Sequence, residues 1–182
     1  MRSRIDFRSI EPRGHGARST WTRRAVRTTL VAASALLISA APLAPQWSLT
    51  QKSDPITDAR SAVLVLKQDP LMLRLECETS ASSPFSVMVG TTSYIGGRPI
   101  ARSGVVRFDE GEPIGAQWGH SSNYALLLAD QPAFITLLSR SRKVAVRLSG
   151  ANGAPVDLVF NVTGAAAQVG RFRETCRSLG IG

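Results

Sequence analysis

Two cysteines, Cys77 and Cys176, constrain this 182-residue chain more than any other feature, because of what precedes them. The chain opens on a basic leader whose apolar core runs from Thr28 to Ala41. That core is about 14 residues, shorter than the roughly 20 needed to span a bilayer and of the size of a signal-peptide core. A leader of this kind sends the following domain into an oxidising compartment, where two cysteines most simply form one disulfide.

The leader, residues 1–44, holds eight arginines against Asp6 and Glu11, which accounts for +6 of the formal +9. The remaining residues are only mildly basic, and their one basic cluster is Arg140, Arg142 and Lys143. A nucleic-acid interface needs a basic stripe in the folded part, so nucleic acid is not an expected partner. Ser39 and Ala41 fit a small-x-small cleavage pattern, while Pro42 disfavours cutting there. Cleaved leader and retained anchor therefore both stay open, and both put the domain outside the cytoplasm, periplasmic or anchored to the inner membrane. The pair Arg23-Arg24 raises twin-arginine export beside the ordinary route.

Behind the leader, residues 45–60 read as an arm, with Trp47 followed by the turn-rich Lys52 to Asp58. Residues 61–182 read as one domain. Ala62 to Lys67 suits a strand buried on both faces. Leu71, Leu73, Leu75 and Cys77 alternate with Arg74, Glu76 and Glu78, and Phe85, Val87 and Val89 repeat the pattern. Ser93 to Ser103 reads as a long connection. Val106 and Phe108 alternate with Arg107 and Asp109, and Ile114 to Trp118 and Tyr124 to Leu128 add two strands.

The period then changes. Asp130 and Pro132 open a short helix with Phe134, Ile135, Leu137 and Leu138 as its apolar side. Arg140, Arg142 and Lys143 end it favourably for the dipole. Strands resume at Val144 to Leu148 and Val156 to Val162. Thr163 then caps a last helix whose apolar face is Ala165, Val169, Phe172, Cys176 and Leu179. Cys176 thus points at the core, as Cys77 does from its strand. The expected fold is mainly β: an antiparallel β-sandwich with one short helix and a C-terminal helix stapled over the core by Cys77–Cys176.

Chemistry is sparse. The folded part holds one histidine, His120, beside Ser121 and Ser122, but no Gly-x-Ser-x-Gly elbow, and a strand-end His reads as a surface loop residue. Asp109, Glu110 and Glu112 do not have the spacing of a calcium loop. One His and two committed cysteines leave no metal site, and no pattern calls for a cofactor. Asn161-Val162-Thr163 fits a glycosylation acceptor but coincides with the helix cap. Trp47 and Trp118 read as core aromatics. Arg107 and Asp109, two apart on one strand face, are within bridging reach, either as a surface ion pair or as a pair covered by Trp118 or the Lys52 to Asp58 arm.

The order Trp47, Ser53 to Asp58, Leu73 to Cys77, Val106 to Asp109, Trp118, Phe134 to Leu138, Val144 to Arg147, Phe160 to Gly164 and Cys176 resembles the VasI-type accessory proteins of type VI secretion and related exported two-cysteine envelope proteins. The resemblance implies a small β-sandwich with a closing helix, no catalytic residue, and structural positions at Trp47, Asp54, Asp58, Arg107, Asp109 and Trp118. A second resemblance, to the invasion-associated locus B type of exported β-domain, rests on the last strand and the Gly- and Ala-rich helix ending. The extra cysteines of that type are missing here.

Expectations for function follow. The first is a non-enzymatic envelope interaction domain with an envelope protein partner, an accessory of type VI secretion on the resemblance. The alternatives are a membrane-anchored structural protein, touching the membrane only through its leader, and an enzyme with an unrecognised site. A polar cleft with perturbed groups near His120 would favour the enzyme, and an exposed apolar patch with a polar rim the binder.

Overall fold

The computed structural model describes residues 45–93, 95, 100–150 and 152–181. The leader, and with it the expectations on cleavage and export route, lies outside the described residues, as do five positions of the Ser93 to Ser103 connection. The nine strands of the described residues are hydrogen-bonded into one antiparallel sheet, and that sheet is not closed. The strands are β1 (Gln46–Ser53), β2 (Arg60–Gln68), β3 (Leu71–Glu78), β4 (Phe85–Thr91), β5 (Ile100–Phe108), β6 (Ile114–Ser121), β7 (Tyr124–Leu127), β8 (Lys143–Ser149) and β9 (Pro155–Asn161). Two helices, α1 (Gln131–Leu138) and α2 (Ala165–Ser178), complete the described part.

The sheet order is β1-β2-β3-β4-β7-β6-β5-β8-β9. A four-strand meander is therefore joined through β4 and β7 to a second, β7-β6-β5, that runs backwards, and the β8–β9 hairpin follows on the far side of β5. The joint is short, with three register pairs: Met88–Leu126, Val89–Ala125 and Gly90–Tyr124. The segment expected to be an arm is, over Gln46–Ser53, the edge strand of the sheet, in register with β2 along its whole length. Turn-rich sequence after Lys52 marks the β1–β2 hairpin and not a tether: Asp54 Oδ1 accepts from the amides of Ile56 and Thr57, at 2.8 and 3.3 Å.

Alternation decides the core. Ala62, Leu64 and Leu66 on β2, and Leu73, Leu75 and Cys77 on β3, are fully buried on one face. Helix α2 lays Ala165, Val169, Phe172 and Cys176 over the first meander, and Cys176 bonds Cys77 as expected. Phe172 meets Phe85 with ring centroids 6.4 Å apart. The cap differs from the expected one. Gly164, at φ 84, is the N-cap, and Thr163 instead donates through Oγ1 and N–H to Asn161 Oδ1. A left-handed backbone at the helix entry favours Gly, which moves the start one residue on.

Helix α1 also departs from its sequence signals. Asp130 sits at φ 58 and makes no side-chain cap bond. The helix ends at Leu138, so Arg140, Arg142 and Lys143 do not meet its dipole. Lys143 instead opens β8 and reaches Glu110 at 2.7 Å.

The curled sheet brings its far strands near one another at one point. The Gln68 side chain donates to the Asn161 carbonyl at 2.9 Å and accepts from the Asn161 amide at 3.0 Å. One side-chain amide thus does between β2 and β9 what a strand pair does elsewhere. Beside it, Trp47 Nε1 donates to the Thr163 carbonyl at 3.3 Å.

Candidate functional site

Arg107 and Asp109 do not bridge each other. Asp109 lies past the end of β5 at φ 50 and accepts through Oδ1 from the amides of Arg142 and Lys143, at 2.9 and 2.8 Å. Those two amides hold its carboxyl below the usual carboxylate range. Arg107 Nε donates to the Gly111 carbonyl at 2.9 Å. Neither residue is covered by Trp118, which is on the opposite face of the sheet, or by the Lys52 to Asp58 segment, which hairpins at the β1–β2 end. The physical reason is the turn: leaving the strand at Asp109 breaks the alternation that would have set the two charges side by side. Asp109→Ala is expected to lower the thermal midpoint clearly, since it frees two strand-opening amides, while Arg107→Ala leaves it nearly unchanged. Parallel melts of the two variants check this.

His120 is not a surface loop residue. It continues the inward row Ala116, Trp118, His120 of β6 and is 1% exposed. Neither ring nitrogen has a hydrogen-bond partner among the described residues, and the same is true of Trp118 Nε1. Across the ladder, Arg102 of β5 pairs in register with Trp118. Its Nη1 donates to the carbonyls of Ser149, at 3.3 Å, and Gly150. Sequence reasoning missed this cluster although the signal was present: His120 is in phase with Trp118, and Arg102 with Val106.

Burial, then the nearby Arg102 charge, pushes His120 below its ordinary 6.5. Folding stability is then full above the unfolded value near 6.5 and falls as pH drops from there towards the lower folded value. The lowered carboxylates, Asp54, Asp109, Glu110 and Asp157, act only at more acid pH, because their ordinary values are 3.8 to 4.5. The midpoint is expected to fall between pH 7.5 and about 5.5, a window set by the histidine. Melts of His120→Gln over the same range should be flat; an unchanged slope would remove His120 as the cause.

Next to this cluster the inner face of β5 and β6 is open. A groove of about 390 Å³ runs between it and α1. Val106, Phe108, Ile114 and Ala116 form the floor, and Ala133, Phe134 and Leu137 of α1 the other wall. Phe108 and Phe134 close it below, ring centroids 5.2 Å apart. Ile114 and Leu137 are 47% and 36% exposed, so the groove is a wet apolar surface. Its one titratable lining residue is Asp130. Gly104, at the inner end, makes room for the Trp118 ring. A Cβ on Gly104 would stand 2.7 Å from the Arg147 carbonyl oxygen and 2.8 Å from Trp118 Cδ1, which only Gly avoids.

Such an arrangement can hold an apolar group; it does not assemble a nucleophile, a base and an orienting partner. Among the described residues, no three His, Cys, Asp or Glu lie close enough to hold a metal ion, and no helix is long and apolar enough to cross a membrane. No protein-family model matches the chain, and no curated protein matches it either. Among solved structures, invasion-associated protein B from Bartonella henselae is similar at 10% identity and a TM-score of 0.44, over 72% of this chain and 99% of that one.

Proposed function

We propose that this protein is a non-enzymatic binding domain of the cell envelope, with the groove between α1 and β5–β6 as its working surface. One observation carries the reading: an apolar groove of about 390 Å³, of small-ligand size, is left open between α1 and β5–β6. The Cys77–Cys176 bond supports an oxidising, exported compartment. The polar cluster near His120 is buried beneath the sheet's inner surface, and its histidine has no acid or hydroxyl partner among the described residues, which favours binding over catalysis. An accessory role in type VI secretion is the setting that the VasI-type resemblance implies for such a domain.

The test is a photo-crosslinking residue at Leu137, at the groove, or at Val159, an exposed position on β9 that does not line it. In intact cells an adduct is expected from position 137 and not from 159. Absence of any adduct at 137 would overturn the reading.

A further inference from the structure

Strand β6 is paired on both sides over only part of its length. Its partner β7 is in register from Ser121–Tyr124 to Trp118–Leu127, and one further bond, from the Leu128 amide to the Gln117 carbonyl at 2.9 Å, ends the ladder. Asp130, at φ 58, then turns the chain away into α1. Continued regularly, β7 would have set Asp130 opposite Gly115. In a strand the N–H and C=O of one residue point to the same side, and the side alternates along the chain. Because the Gln117 carbonyl faces β7, Gly115 aims both its backbone groups the same way, at the place β7 has vacated. Among the described residues neither group has a backbone partner there, and Gly115 is exposed. On the other side β5 runs on in register to Val106–Ile114. The result is an open strand edge inside the sheet, from Ile114 to Ala116, and it forms one lip of the apolar groove. Ala133 and Leu137 of α1, both exposed, form the other.

We propose that this edge takes up an extended, basic peptide segment of a partner protein. The segment adds to β6 beside Gly115, an apolar side chain enters the trough over Phe108 and Phe134, and a Lys or Arg meets Asp130. The proposal rests on the groove being the working surface and adds the chemistry of its occupant. Backbone chemistry selects a peptide. Unpaired strand N–H and C=O groups match another extended backbone, whose hydrogen bonds supply affinity while its alternate side chains supply specificity. A purely apolar occupant leaves both Gly115 groups unused. About five extended residues cover Ile114 to Gln117. Natural sheets guard open edges with lysine or proline. Ile114, Gly115 and Ala116 are neither, and Pro113 limits the edge at one end only. Charge selects the composition of the segment. Asp130 is the one charged residue of the lining, exposed and without a side-chain cap bond, and Glu112 is exposed just before the edge. No cation is among the residues that line the groove.

The experiment pans a displayed library of random heptapeptides on the whole, disulfide-bonded protein. Ala133→Trp, which fills the groove from the exposed side of α1, serves as counter-selection. Enriched sequences are expected to alternate apolar residues and to carry Lys or Arg. One enriched peptide is then synthesised and titrated, beside analogues in which single amides are replaced by esters. Replacement at amides that face β6 should weaken binding by about ten-fold, and at the intervening amides hardly at all. Asp130→Asn should weaken it by about three- to five-fold, the loss of one exposed charge pair. The ester series uses unaltered protein, so it stands whatever either substitution does to folding. The proposal is overturned if nothing is enriched, if the enriched peptides lack a basic residue, if no ester changes the affinity, or if Asp130→Asn binds as before. Where nothing is enriched, an adduct at position 137 in cells keeps the groove as the working surface with another occupant; no adduct removes both.

Discussion

Opening the Cys77–Cys176 bond is expected to lower the unfolding free energy by about 4.7 kcal/mol, the chain-entropy figure for a loop of some 100 residues. The two cysteines are 99 residues apart, so the bond removes a large share of the freedom of the unfolded chain. Small domains are stable by roughly 5–15 kcal/mol, so this loss is a third of the total or more. Both sulfurs lie in the core, between β3 and α2, and the bond has no part in the groove. The measurement is a urea titration of oxidised protein, reduced protein and the Cys77→Ala/Cys176→Ala double variant. The last two should share a midpoint well below the first. A shift equivalent to less than about 1 kcal/mol would mean that α2 is held by packing alone.

Phe172→Ala is expected to cost about 3–5 kcal/mol, the range for removing a fully buried aromatic. Phe172 is 0% exposed, faces Phe85 and stands one helical turn before Cys176. Its loss leaves a cavity under α2 that the disulfide keeps from collapsing, because the helix cannot shift while Cys176 is bonded. The two changes are therefore coupled. In a double-mutant cycle with the cysteine variant, the combined loss should differ from the sum of the single losses by more than about 0.5 kcal/mol. Strict additivity would show that helix and staple act independently.

Much of the fold was legible because β-alternation is a short-range signal. Leu71 to Glu78 announces both its strand and its inward row, and the i, i+4, i+7 face from Ala165 to Cys176 announces α2. With two cysteines on two inward faces, the bond followed. What was not legible depends on where the chain stops being regular. Asp109 leaves its strand one residue before an ion pair with Arg107 could form, and a local pattern does not reveal that. The polar look of Gln46 to Ser53 hid a strand, since an edge strand with one wet face has little reason to be apolar. His120 was misplaced because serines and a glycine beside it signal a loop, yet the inward phase of Trp118 carries through it. The groove was invisible for another reason. It lies between strands and a helix that are distant in sequence, and which helix roofs Ile114 and Ala116 is settled by a crossover, not by any local sequence.

The bonds that finish the first meander come from the end of the chain. Cys77 waits for Cys176, and Gln68 for Asn161, 93 residues later. Strands β1 to β4 are therefore made before anything that covers their apolar face exists. During that interval the emerging polypeptide carries a naked hydrophobic surface and one reactive thiol. With two cysteines in the whole chain, no mispaired loop can form within it. A wrong disulfide therefore needs a thiol from outside the chain, so the hazard of maturation is a matter of crowding: sparse synthesis favours monomeric, correctly stapled protein, and heavy overproduction favours linked dimers.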